Sequence, residues 1–175
     1  MRKILIVIDM QNDFIDGSLG TPEAVGIVEH VVDKIRAYDR KDVYATMDTH
    51  ETNYLTTQEG RNLPVEHCIR GTKGWEIRDE IKALIDEENI FEKPTFGSVK
   101  LAETMRDMAE TEEIEIELVG LCTDICVASN ALLLKAMMPE VRISVDAACC
   151  AGVTPDHHAA ALDTMQSCQI NVDHQ

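Results

Sequence analysis

The stretch Ile4-Leu5-Ile6-Val7-Ile8-Asp9 is an unbroken aliphatic run closed by a carboxylate. A strand buried on both faces of a parallel sheet reads this way, because neither face meets water and no polar alternation is required. Similar short runs recur at 43–47, 89–91, 114–119, 141–145 and 169–172. Between them, residues 25–38, 75–85, 99–108, 126–137 and 155–165 carry apolar positions at helical spacing. Strands alternating with helices predict right-handed crossovers and an α/β fold: an open, mostly parallel β-sheet flanked by helices on both faces. Residues 49–74 follow neither period, and an irregular loop of that length inside a compact domain signals function.

The chain has 175 residues, 45% hydrophobic and 27% charged, with 9 Gly and 5 Pro, which predicts one domain over 1–175. A chain of this size buries roughly 70% of its unfolded surface. Its core needs neither a disulfide nor a structural metal, so any metal is expected to serve chemistry. The formal charge of −16 disfavours nucleic acid and anionic membrane as partners, since both attract positive surfaces. Asp9 ends the first apolar run too early for a signal peptide, and no stretch approaches the ~20 apolar residues of a membrane span. A cytoplasmic location is therefore expected, with Cys68, Cys122, Cys126, Cys149, Cys150 and Cys168 as thiols. The adjacent Cys149 and Cys150 lack the spacing of a metal or redox motif and read as packing. His157 and His158 follow a helix start at Thr154-Pro155-Asp156 and are expected at the surface. The apolar segment Ala131-Leu132-Leu133-Leu134 with Met137-Met138 suits either the core or a homo-oligomer interface.

In an open α/β sheet, ligands bind in the crevice beyond the carboxyl ends of the strands. Asp9 closes the first predicted strand, Asp48 follows the second, Lys93 the third, and Gly120 through Cys126 link the fourth to its helix. Alone, Cys126 reads as a buried thiol, Asp9 as a turn residue and Lys93 as a solvated side chain. Together at one sheet edge they supply a nucleophile, a base and a cation, the parts that covalent catalysis requires. A helix start at Cys126 adds free N–H groups and a dipole that favour the thiolate.

Three segments carry a resemblance: Val7-Ile8-Asp9-Met10-Gln11-Asn12-Asp13-Phe14, then Lys93, then Gly120-Leu121-Cys122-Thr123-Asp124-Ile125-Cys126-Val127. In type and order they are similar to the signature segments of the nicotinamidase/isochorismatase-like cysteine hydrolases. The resemblance implies an isochorismatase-like three-layer fold and a triad of Asp9, Lys93 and Cys126 acting on a carbonyl carbon. It also implies a non-proline cis peptide between Leu121 and Cys122, which directs the Cys122 N–H into an oxyanion hole shared with the Cys126 N–H. Such a donor typically contributes ~3–4 kcal/mol of transition-state stabilisation.

Within the irregular loop, Asp48-Thr49-His50 puts a carboxylate and an imidazole two positions apart, and His67 precedes Cys68-Ile69-Arg70-Gly71-Thr72. Nicotinamidases hold a divalent metal with such an Asp-x-His pair and a later His. Many add a His six residues after the first, where this chain has Thr56, whereas others use Glu. The resemblance therefore implies Asp48, His50, Glu59 and His67 as ligands. Mixed nitrogen and oxygen donors suit zinc, with iron and manganese as alternatives. Pro64 stands where these enzymes place an aromatic residue, while Phe14, Trp75 and Phe96 are candidates to wall a substrate pocket. The leading expectation is a metal-assisted hydrolase of a small amide such as nicotinamide. The alternatives are a metal-independent isochorismatase-type or carbamoyl-amide hydrolase with the same thiol, and a catalytically silent α/β binding protein.

Overall fold

The computed structural model describes residues 1–174. Six strands form a single sheet in the order β3-β2-β1-β4-β5-β6: β1 (Arg2–Ile8), β2 (Val43–Asp48), β3 (Ile90–Lys93), β4 (Ile114–Leu121), β5 (Arg142–Ala151) and β6 (Asn171–Asp173). All five strand pairs are parallel. The aliphatic run lies on the central strand β1, where alternate side chains feed two cores. Ile4, Ile6 and Ile8 join one core with α6 (Val99–Ala109), α7 (Ala128–Met137) and α8 (Pro155–Ser167). Leu5 and Val7 join the other with α1 (Asn12–Ile15), α2 (Pro22–Gly26), α3 (Val28–Arg36) and α5 (Asp79–Lys82). The short helix α4 (Gln58–Asn62) lies in the segment between β2 and β3.

Three expectations are corrected. The helix expected over 25–38 is two helices, α2 and α3, separated at Ile27 just past Gly26. Helix is confined to Asp79–Lys82 within 75–85, because the preceding backbone pairs with the chain leaving β1. Ile77 bridges Gln11, Asn12 N–H donates to Glu76 O, and Arg78 N–H donates to Met10 O. Strand β5 runs on to Ala151 rather than stopping near 145; after a register shift, Cys150 pairs with Gly120 and Ala151 with Leu121. Cys149 and Cys150 are consequently buried in the sheet.

Candidate active site

Register places the first three polar groups. Asp48 and Lys93 are partners at the last rung of the β2–β3 ladder, and Asp9 follows Ile8 at the end of the neighbouring strand. Asp9 takes a left-handed φ of 45°, which short polar residues tolerate better than most. Gly120, partner of Ile8, has φ 116°, and a Cβ there would collide with the Ile8 carbonyl. Only glycine lets β4 come this close before the chain turns into the segment carrying Cys126.

The three side chains are fully enclosed: Asp9 is 0%, Lys93 1% and Cys126 4% exposed. Lys93 Nζ lies 2.7 Å from Asp9 Oδ2 and 3.5 Å from Cys126 Sγ, and it donates to the Thr95 carbonyl at 3.1 Å. Thr46 Oγ1 donates to Asp9 Oδ1 at 2.6 Å. Burial lifts the Asp9 and Cys126 pKa values above their usual ranges, with Lys93 opposing both shifts. Lys93 keeps its charge, because Asp9, Cys126 and Asp48 outweigh its own burial penalty. Burial, Asp9 and Asp48 thus favour the thiol over the thiolate, and Lys93 acts in the opposite direction. Cys126 sits in a π-helical turn, Thr123–Val127, that precedes α7, with Val127 N–H donating back to Cys122 O at 3.1 Å. The Leu121–Cys122 peptide is cis. The Cys122 thiol is pushed up to about 12 by burial and by Asp124 and Asp9.

Beside this floor, Asp48, His50, Glu59 and His67 converge, each offering a ligand atom within 4.8 Å of the others. Asp48 Oδ2 is 3.0 Å from His50 Nε2 and 3.5 Å from His67 Nε2, and Glu59 Oε1 is 3.6 and 3.7 Å from the same nitrogens. His67 Nδ1 donates to the Val65 carbonyl at 2.8 Å, which turns Nε2 toward the cluster. Burial raises the Asp48 pKa, but His50, His67 and Lys93 outweigh it and hold the carboxylate charged. Two imidazoles and two carboxylates aimed at one point fit a divalent cation. Lys93 Nζ is 3.6 Å from Asp48 Oδ1, so the cation of the floor touches the ligand cluster as well.

Both groups open onto one cavity of about 620 Å³, lined by Asp48, Glu59, His67 and Cys126 together with Phe14 and Phe96. A model of the isochorismatase domain matches residues 3–174. The chain belongs to the isochorismatase domain family. Its relatives in that family include PncA of Bacillus subtilis (strain 168), named an isochorismatase family protein, at 30% identity over 93% of each chain. The crystal structure of nicotinamidase/pyrazinamidase PncA from Bacillus subtilis superposes with a TM-score of 0.82 at 28% identity, covering 99% of this chain and 100% of that one. The pyrazinamidase of Pyrococcus horikoshii, solved in complex with zinc, gives a TM-score of 0.77 at 26% identity over 98% of each chain.

One of the aromatic candidates in this isochorismatase-family chain lies elsewhere. Trp75 is turned away from the cavity, its Nε1 donating to Thr49 Oγ1 at 2.9 Å, on a turn just before the Gln11–Ile77 bridge. His157 is exposed as expected, but His158 is half-buried, with Nδ1 2.8 Å from Thr123 Oγ1 at the Cys126 turn.

Four supporting residues escaped the sequence reading. Thr46 is the one short hydroxyl side chain on β2, set between Ala45 and Met47, a signal that was available. Gln11 lies in the first signature segment and clamps β2: its Oε1 accepts from Asp48 N–H at 2.7 Å, and its Nε2 donates to Asp48 O at 2.8 Å and to Trp75 O at 2.7 Å. Asp13 Oδ2 accepts from Cys68 N–H at 2.8 Å, which fixes the chain beside His67. Asn130 donates to Cys126 O at 2.8 Å and accepts from Ser98 N–H at 2.9 Å, stapling the Cys126 turn to the segment after Lys93. Spacing four residues beyond Cys126 on a helix could have suggested it.

Proposed function

We propose that the chain is a cysteine-dependent amidohydrolase that converts nicotinamide, or a closely similar small amide, into its carboxylic acid and ammonia. The observation that carries this reading is Lys93, in contact with Asp9, Cys126 and Asp48 at once. Asp9 takes the proton from Cys126 as the sulfur attacks the amide carbon, so charge separates only when substrate is present. The N–H groups of Cys122 and Cys126 receive the developing oxyanion. Asp9 then passes its proton to the departing nitrogen, the C–N bond breaks, and ammonia leaves an acyl-thioester on Cys126. Asp9 next draws a proton from water, whose oxygen attacks the thioester carbon; the C–S bond breaks and the sulfur regains a proton. Throughout, Lys93 offsets negative charge as it moves between carboxylate and sulfur.

Asp48, His50, Glu59 and His67 would hold a divalent metal, with zinc the ion proposed. When bound, it supplies an electron-pair acceptor for a ring nitrogen and so orients the amide rather than activating it. Apolar side chains dominate the other walls, beside Thr21, Gln58 and Asn62, and Phe14 and Phe96 pack a planar ring. The six free thiols support the cytoplasm as the compartment.

Ammonia release from nicotinamide and pyrazinamide by wild type and Cys126→Ala tests the reading. Turnover by the wild type, absent in the variant, is expected. Equal release by both proteins removes Cys126 from the mechanism. Chelation discriminates the metal-independent alternative, which retains activity after metal is stripped.

A further inference from the structure

A pyridine ring with one carboxamide fills roughly 150 Å³, about five times the ~30 Å³ share of a water molecule. The cavity holds about 620 Å³, which lies in the ~300–1,000 Å³ range that encloses much larger ligands. The unfilled part has a defined chemistry. Three of the seven large apolar side chains most exposed on the described residues, Leu63, Phe96 and Val153, at 39, 47 and 45%, all line this one cavity. Leu19, Ala24 and Ile125 continue the apolar wall between them. They come from five separate parts of the chain: the Leu19 turn running into α2, the residue after α4, the loop after β3, the Cys126 turn and the loop after β5. Single exposed apolar residues are ordinary; their concentration around the mouth above Cys126 marks a binding surface.

We propose that the enzyme's preferred substrate is an aromatic amide carrying an apolar substituent, which extends from the ring into this outer chamber. The proposal rests on the amidase reading above and adds a substrate class to it. Ring geometry fixes where the substituent belongs. With the amide at Cys126 and the ring nitrogen at the His50–His67 side, the ring carbon opposite the one between those two groups, position 5, points away from both. An alkyl or aryl group there leaves both anchored groups undisturbed and covers Leu63, Phe96 and Val153.

The test compares nicotinamide with 5-methyl-, 5-propyl- and 5-benzylnicotinamide. We expect kcat/KM to rise along the series, with a ceiling of about fourfold per methylene fully buried. The ratio of 5-propyl to parent kcat/KM should fall toward unity in Val153→Ser and Leu63→Ser. Affinity for Cys126→Ala, measured by calorimetry, should tighten along the same series. Turnover of nicotinamide with equal or slower turnover of the substituted amides overturns the proposal; in that event another occupant, such as a second copy of the chain, covers the mouth. If no amide is hydrolysed yet affinity climbs with substituent length, the amidase reading falls and the apolar subsite stands. Flat affinities overturn the subsite itself.

Discussion

The floor of the cavity and the ligand-rich loop beside it are built in opposite ways. Asp9, Lys93 and Cys126 stand at or just beyond strand ends, each essentially without solvent contact. Parallel register positions the first two, so their geometry is a by-product of the sheet. His50, Glu59 and His67 come from a segment with little regular structure, and Glu59 keeps 24% of its side chain exposed. That group is assembled by individual contacts: Gln11 on Asp48, Asp13 behind Cys68, the buried Tyr54 ring against both imidazoles at 4.7 and 5.0 Å, and the Val65 carbonyl on His67. Chemistry placed on the rigid element tolerates less positional error than orientation placed on the loop.

The largest expected effect breaks the floor alone. Cys126→Ala should cut kcat on the order of 10⁴-fold or more, while the protein binds metal as wild type does. Metal content and ammonia release measured on the same sample separate the two regions; parallel loss of both would show that they are one unit.

Breaking the loop should give the converse. His67→Ala removes a proposed ligand that is 3% exposed and oriented by the Val65 carbonyl, and metal should be lost on dialysis with activity falling on the order of 10²-fold or more. Glu59→Gln removes the most exposed ligand and should cost less of both. If Glu59→Gln strips the metal as completely as His67→Ala does, the exposure ranking is wrong as a guide to ligand strength.

The same contrast explains what could be read from residues alone. The sheet was legible because Ile4 to Ile8 and the later aliphatic runs have no other stable home, and the floor followed because strand ends converge on one crevice. Asp48 was legible as a strand end, whereas His50, Glu59 and His67 were reached as ligands through family resemblance, and no periodicity leads to them. Trp75 was misplaced because its position depends on the Gln11–Ile77 bridge, a long-range pairing that local pattern does not encode. The extension of β5 is likewise set by a tertiary partner, its pairing with β4.

Gln11 joins the two regions, which makes its removal a finer probe. It lies two residues past Asp9 but bonds both backbone groups of Asp48. Gln11→Ala should weaken metal affinity by roughly 10–100-fold, the range found when partners of a ligand are removed, and should leave the rate of Cys126 alkylation near wild type. A strong change in alkylation with unaltered metal affinity would place Gln11 with the floor instead.

The smallest effect concerns charge within the floor. Burial is the main reason the Cys126 pKa lies well above an ordinary thiol's, and Asp9 is the next. A neighbouring negative charge disfavours the thiolate, so removing it moves the thiol pKa downward, while burial remains. Asp9→Asn in metal-free protein should therefore shift the pH midpoint of Cys126 alkylation by iodoacetamide to lower values, even though the variant has lost its proton acceptor and turns over no amide. The same experiment on Asp48→Asn should move the midpoint in the same direction but less, since Asp48 ranks below Asp9 among the charges acting on the sulfur. A midpoint that rises in Asp9→Asn would mean that the carboxylate acts chiefly by holding Lys93 against the sulfur, so that its loss removes a cation as well as an anion.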